Sequence, residues 1–299
     1  MRIVIGVDQS TEAEEACWFV ADRSWPAGTS ATLAGVSTPR AARAAVAAVD
    51  AAHFNERSAD IEAVLDQRAE IFRRTGRLNV QTELLVGTAG DALCRLAADT
   101  HADLIVVGSR RRGPLSSAIL GSTSAQLVDH APCPVLVVRQ PLATRMLVAT
   151  DGTPSSRSIP TILAAWRPAF HHLPVEVVSV AQRYAFITPW AASEPEDAPA
   201  VEDLAFHRQI AERVADQLIE LGWHSAAVAR AGEPGREIVA AGEEWGADLI
   251  VTGSRGIGTL HRLLTGSVAH DVLLHTRSSV LVVRGQVPAS SGRVAVAGV

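Results

Sequence analysis

The chain has 299 residues, 47% of them hydrophobic and 20% charged, with a net charge of −5 and a pI near 6.1. That is globular material for two domains of about 150 residues each, without the basic excess that a nucleic-acid binder needs. No apolar run reaches the roughly 18 residues of a membrane span, and Cys17, Cys94 and Cys133 form no CxxC pair, so a cytoplasmic protein with reduced thiols and no membrane or nucleic-acid partner is expected.

In chain order, alternating and apolar runs predict strands at RIVIGVD (2–8), TLAGV (32–36), QTELLV (81–86), DLIVVG (103–108) and PVLVV (134–138). Helical patterns separate them at Ala13 to Arg23, Asn55 to Arg74, Asp91 to Thr100 and Ser122 to His130, and the Ala-rich stretch 37–53 reads as partly helical. The same order then recurs. Strands are predicted at RMLVATD (145–151), VEVVSV (175–180), SAAVARA (225–231), DLIVTG (248–253) and VLVVR (280–284), with helices near Ser156 to Trp166, Val201 to Gly222, Arg236 to Trp245 and Ser267 to His275. Tyr184 to Pro199 is Pro-rich, acidic and without period, as expected of a long surface loop, and Val287 to Val299 reads as a tail.

The recurrence is literal in places. ADLIVVGSR at 102–110 returns as ADLIVTGSR at 247–255, and PVLVVR at 134–139 as SVLVVR at 279–284, both shifted by 145 residues. GVDQS at 6–10 answers ATDGT at 149–153. A period of that size is a whole domain, so the expected organisation is 1–142, 143–285 and a tail at 286–299. Five strands alternating with helices imply an α/β fold in each copy, a doubly wound parallel sheet of order 3-2-1-4-5 with helices on both faces. Its ligand crevice lies between strands one and four, beyond their carboxyl ends. Asp8 and Asp151 end strand one there, and Gly108 and Gly253 end strand four.

What such a crevice can bind is limited by an absence. All 27 basic residues are arginine, which excludes the P-loop lysine, Schiff-base chemistry and kinase-type clamps. A nucleotide would be held by backbone, glycine and hydroxyl groups. A helix start contributes only about 0.3–2 kcal/mol toward an anion, against the about 8 kcal/mol of micromolar binding, so loop amides, Arg255 and a base slot must add to it. Asp8 and Asp151 have an alternative reading as helix caps, Arg110 to Arg112 as a solvated loop, and His130 and His275 as partners of helix dipoles. No GxSxG, HExxH or paired carboxylates support hydrolase chemistry.

The pattern GSRG-x9-GSV at 253–268, preceded by ADLIV and followed by SVLVVR, resembles the universal stress protein family in its tandem-domain form. The resemblance covers both copies, Arg2 to Arg139 and Arg145 to Arg284. It implies Rossmann-like domains that bind ATP, with Mg2+ able to accompany the phosphates and no metal ligands of the protein's own. In the second copy it assigns Asp151 to the nucleoside, Val180 to the adenine, and Gly253, Ser254, Arg255, Gly256, Gly266, Ser267 and Val268 to ribose and phosphates. In the first it assigns Gly6, Asp8, Val36, Gly108, Ser109, Arg110, Arg111, Gly121, Ser122 and Thr123. Arg111 stands where the second copy has Gly256: it either weakens the site or offers phosphate a charge-assisted fork, and Gly113 is an alternative turn residue. The resemblance also implies edge-to-edge pairing of the two copies within one chain through their VLVV strands, with further dimerisation open. The implied role is a stress or dormancy regulator without efficient catalysis. A slow ATPase or nucleotide transferase, and a nucleotide-free assembly module in the first copy, remain as alternatives.

Overall fold

A computed structural model describes residues 1–38, 47–109, 121–182, 201–254 and 267–284, with no side-chain description at 47–57, 201–203 and 267. The first half runs β1 (Arg2–Val7), α1 (Thr11–Ala21), β2 (Ser30–Ser37), α2 (Ala47–Thr75), β3 (Asn79–Val86), α3 (Ala89–Asp99), β4 (Leu104–Gly108), α4 (Ser122–His130) and β5 (Val135–Val138). The second runs β6 (Met146–Ala149), α5 (Pro154–Arg157), α6 (Ile159–Ala165), α7 (Arg167–Phe170), β7 (Val175–Gln182), α8 (Val201–Glu220), β8 (Ser225–Gly232), α9 (Pro234–Trp245), β9 (Leu249–Gly253), α10 (Ser267–His275) and β10 (Ser279–Val283).

One predicted helix is broken. Where a single element was expected at 156–166, three short ones follow one another, with Pro154, Pro160 and Pro168 each in the first turn of its own piece. Proline lacks the amide that would continue the preceding turn, yet fits a helix start.

All ten strands join one sheet in the order β3-β2-β1-β4-β5-β10-β9-β6-β7-β8. Each half is parallel and of order 3-2-1-4-5. Helices α1, α2, α6 and α8 cover one face, where Phe19, Phe72, Ile159 and Leu218 are buried. Helices α3, α4, α9 and α10 cover the other, burying Leu93, Leu127, Ile238 and Val272. Strands buried on both faces explain why DLIVVG and DLIVTG are continuous apolar runs.

The halves meet where β5 and β10 pair antiparallel, Val137 opposite Val280 and Leu136 opposite Leu281. The arginine that follows each of these strands crosses the seam. Arg139 donates to the carbonyls of Leu273 and Thr276 at the end of α10; Arg284 donates to the carbonyl of Val128 in α4 at 2.6 Å. Helix ends leave carbonyls without intrahelical donors and concentrate negative potential, so a guanidinium there is well placed. On the other sheet face Trp25 packs edge-on against Trp166 and Phe170, with ring centroids 6.5 and 5.8 Å apart. Beside them Arg23 lies over the Phe19 ring and donates to the Phe19 carbonyl at 2.6 Å; burial pulls its guanidinium down to about 10. No helix among the described residues is long and apolar enough to cross a membrane.

Candidate functional site

Within each half the first and fourth strands end at one edge of the sheet, and the described expected residues of that half lie there. In the first half Asp8 directly follows β1 and is exposed. Its Oδ1 accepts from the Ser10 amide at 2.9 Å and from the Ser10 hydroxyl. The Ser10 hydroxyl in turn accepts from the Ala13 amide at 3.2 Å, which makes Ser10 the cap of α1. The capping alternative for Asp8 therefore falls to its neighbour, and Asp8 steadies the cap from outside. In the second half the exposed Asp151 holds the same kind of turn, its Oδ1 accepting from the Thr153 amide at 3.0 Å and hydroxyl at 2.6 Å, and from Ser156 Oγ at 2.8 Å, but Thr153 makes no side-chain cap to α5. In both carboxylates Oδ2 has no hydrogen-bond partner among the described residues.

The glycines of the edge divide into two kinds. A Cβ on Gly108 would lie 2.3 Å from the carbonyl carbon and oxygen of Glu12, and one on Gly253 would lie 3.1 Å from the Ser156 amide nitrogen. These glycines let the first turn of the helix after strand one, α1 or α5, settle against the end of strand four. Gly6 is closed in by Leu93 and Val107. Gly121 differs: it caps α4 with an ordinary φ of −60°, no side-chain cap is made there among the described residues, and nothing described stands within 4 Å of where its Cβ would be. The amides of Ser122 and Thr123 lie in the first turn, at the positive end of the helix.

Ser109 and Ser254 are buried and donate their amides to Val138 and Val283 at 2.9 and 2.8 Å, so they tie β4 to β5 and β9 to β10. Val36 and Val180 are half-buried at the ends of β2 and β7, at the same edge. Val268 lies in the first turn of α10. Arg110, Arg111, Arg255, Gly256 and Gly266 lie outside the described residues, as do the expected loop at 184–199 and tail at 287–299. For Ser267 only the backbone is described. Among the described residues no group of three or more His, Cys, Asp or Glu could hold a metal ion. Burial pushes the thiols of Cys17 and Cys133 up to about 12, and that of Cys94 upward, which leaves little nucleophilic thiolate.

Four residues of the second half were not singled out from sequence. Thr150 Oγ1 and Ser156 Oγ are 3.2 Å apart beneath Asp151, and Ser179 Oγ lies 2.8 Å from His207 Nδ1. The available signal was a comparison of the halves at matching positions, where the first has Val7, Ala13, Gly35 and Ile61.

The sequence model of the universal stress protein family matches residues 1–139 and again 143–284. The chain is similar to a universal stress protein of Mycobacterium tuberculosis, 30% identical over 229 residues, 71% of this chain and 70% of that protein. It is also similar to one from Mycolicibacterium smegmatis, 28% identical over 303 residues, 94% and 96% of the two chains. Among solved structures, a universal stress protein from Archaeoglobus fulgidus superimposes with a TM-score of 0.67, 18% identity, and coverage of 95% of this chain and 98% of that one. At that identity the likeness speaks for the fold alone.

Proposed function

The chain belongs to the universal stress protein family, and from that premise we propose that it is a cytoplasmic, nucleotide-binding regulatory protein whose halves, 1–142 and 143–285, each take ATP at the carboxyl edge. The observation that carries the reading is the pair Asp8 and Asp151. Each is exposed at the end of strand one and spends Oδ1 on the turn that opens the next helix, leaving Oδ2 without a hydrogen-bond partner among the described residues, where a parallel sheet of this order places ligands. The open start of α4 adds amides for a phosphate and a cradle at Gly121 that a side chain would fill. Asp8 and Asp151 would hold the nucleoside, Gly121, Ser122 and Thr123 the phosphates of the first half, and Ser267 and Val268 those of the second. Mg2+ would be carried by the phosphates. With one oxygen of each carboxylate held by its turn and the other given to the nucleoside, neither is left as a general base, so regulation by occupancy is favoured over turnover.

The test is nucleotide analysis of freshly purified, denatured protein, followed by calorimetric titration with ATP. The proposal expects bound adenine nucleotide and a saturable isotherm. Absence of both refutes it, and turnover well above about 1 per second, within the usual enzyme range, would favour an ATPase instead.

A further inference from the structure

Both carboxylates stand at the end of a chain of hydrogen bonds that starts from a backbone amide, but the two chains are built from different residues. In the first half the Ala13 amide donates to Ser10 Oγ at 3.2 Å, and Ser10 Oγ donates to Asp8 Oδ1. The cap of α1 thereby holds the carboxylate. In the second half α5 is only four residues long, and Thr153, at the position of Ser10, makes no side-chain cap. The amide that feeds Asp151 is that of Gly152. It donates to Thr150 Oγ1 at 3.3 Å, Thr150 Oγ1 donates to Ser156 Oγ at 3.2 Å, and Ser156 Oγ donates to Asp151 Oδ1 at 2.8 Å. The direction is fixed at both ends, because an amide only donates and an ionised carboxylate only accepts. Ser156 Oγ also reaches the Thr153 carbonyl at 3.1 Å, inside the same turn.

The first half cannot form this second kind of chain. Val7 precedes Asp8 as Thr150 precedes Asp151, and Ala13 matches Ser156, because Gly108 packs on Glu12 and Ala13 as Gly253 packs on Ser155 and Ser156. All four positions are buried: Val7 and Ala13 are 7% and 3% exposed, Thr150 and Ser156 5% and 2%. Stability does not explain the exchange. A buried hydroxyl that finds a partner gains little over an apolar group of the same shape, and one that loses its partner is costly. Two hydroxyls in line behind one exposed carboxylate are the local departure from apolar packing expected at a functional site. What they supply is orientation, since a side chain already held in its binding geometry has less freedom to lose when a ligand arrives.

We propose that Thr150 and Ser156 are positioning residues for the nucleoside-binding carboxylate of the second half. They hold Asp151 through Oδ1 before the ligand arrives and so raise the affinity of that half, as Ser10 does for Asp8. This rests on the nucleotide reading above.

The experiment is calorimetric titration of the full chain with ATP, with thermal melts alongside, on Thr150→Val, Thr150→Ser and Ser156→Ala. Asp8→Asn is added to each and to the parent, which weakens the first half and leaves the second as the tighter isotherm. In that background Thr150→Val keeps the shape and drops the hydroxyl, and should weaken the second half about tenfold, the worth of one hydrogen bond. Thr150→Ser keeps the hydroxyl and drops a methyl group, and should bind ATP as the parent does, whatever its melting temperature. Ser156→Ala, a substitution that suits a helix, should match Thr150→Val and serves if the Thr150 variants fail to fold. Affinities that follow the melting temperatures and not the hydroxyl, or Ser156→Ala binding as tightly as the parent, overturn this inference and leave nucleotide binding standing. No saturable binding by the parent chain overturns the nucleotide reading and this inference with it.

Discussion

Replacing Gly108 by alanine should destabilise the chain far more than any change at Gly121, although both glycines belong to one expected binding loop. A Cβ at Gly108 would sit 2.3 Å from the backbone carbon and oxygen of Glu12 and 2.7 Å from the Ala13 nitrogen. These are main-chain atoms in the first turn of α1, which cannot rotate away, so the cost lies at the upper end of overpacking, about 3 kcal/mol. With about 2–4 °C lost per kcal/mol in domains of this size, Tm falls by about 6–12 °C. Gly253→Ala meets the Ser156 nitrogen at 3.1 Å and Ser155 atoms at 3.3 Å, a shortfall of tenths of an ångström costing about 1 kcal/mol. Gly121→Ser meets nothing described within 4 Å and adds a capping hydroxyl to α4, so its Tm should hold or rise slightly. Thermal melts followed by circular dichroism, with and without ATP, check the order. Gly108→Ala melting within about 2 °C of the parent, or Gly121→Ser as the least stable of the three, would refute the division into packing glycines and cradle glycines. The cradle assignment further expects Gly121→Ser to weaken ATP binding while leaving stability intact.

Asp8→Asn and Asp151→Asn keep the Oδ1 acceptor that steadies the capping turns, so melting should change little while the nucleotide affinity of the altered half falls about tenfold, read by titration. Cys17 and Cys133, held near 12, should resist iodoacetamide in the folded chain at pH 8, where about one thiol in ten thousand is ionised. Half-exposed Cys94 should react first, and all three should react in denaturant; mass spectrometry counts the adducts.

The strands and most helices were legible because a sheet covered on both faces needs uninterrupted apolar runs, and their repetition at a constant spacing made the duplication visible. The joining of the two halves was expected only from the family resemblance, which implied edge pairing of the VLVV strands. Less legible was why each glycine is there. Gly108 and Gly253 look like loop glycines, but the atoms that forbid a side chain at Gly108 belong to Glu12 and Ala13, almost a hundred residues earlier. The same holds for the polar pairs of the second half: Thr150 meets Ser156, and Ser179 meets His207, only because β6 and α5, and β7 and α8, come together, and no local spacing announces it. The break into α5, α6 and α7 was written in Pro154, Pro160 and Pro168, and an amphipathic pattern overrode it.

The arginines that cross between halves connect the two crevices. The N-terminus of α10 borders the second crevice, and its last carbonyls are held by Arg139 of the first half. Helix α4 borders the first crevice, and its Val128 carbonyl is held by Arg284 of the second. Each helix whose start borders a crevice is thus anchored at its far end by the other half. Arg139→Ala should leave the carbonyls of Leu273 and Thr276 without that donor. Hydrogen bonds to a charged group contribute about 1.5–3 kcal/mol each, partly regained through water. The loss should be local: amide exchange should rise over the last turn of α10, with α4 unchanged, and Arg284→Ala should give the mirror result. Equal loosening of both helices in either variant would mean that the seam unfolds as one unit and that the arginines anchor no particular helix.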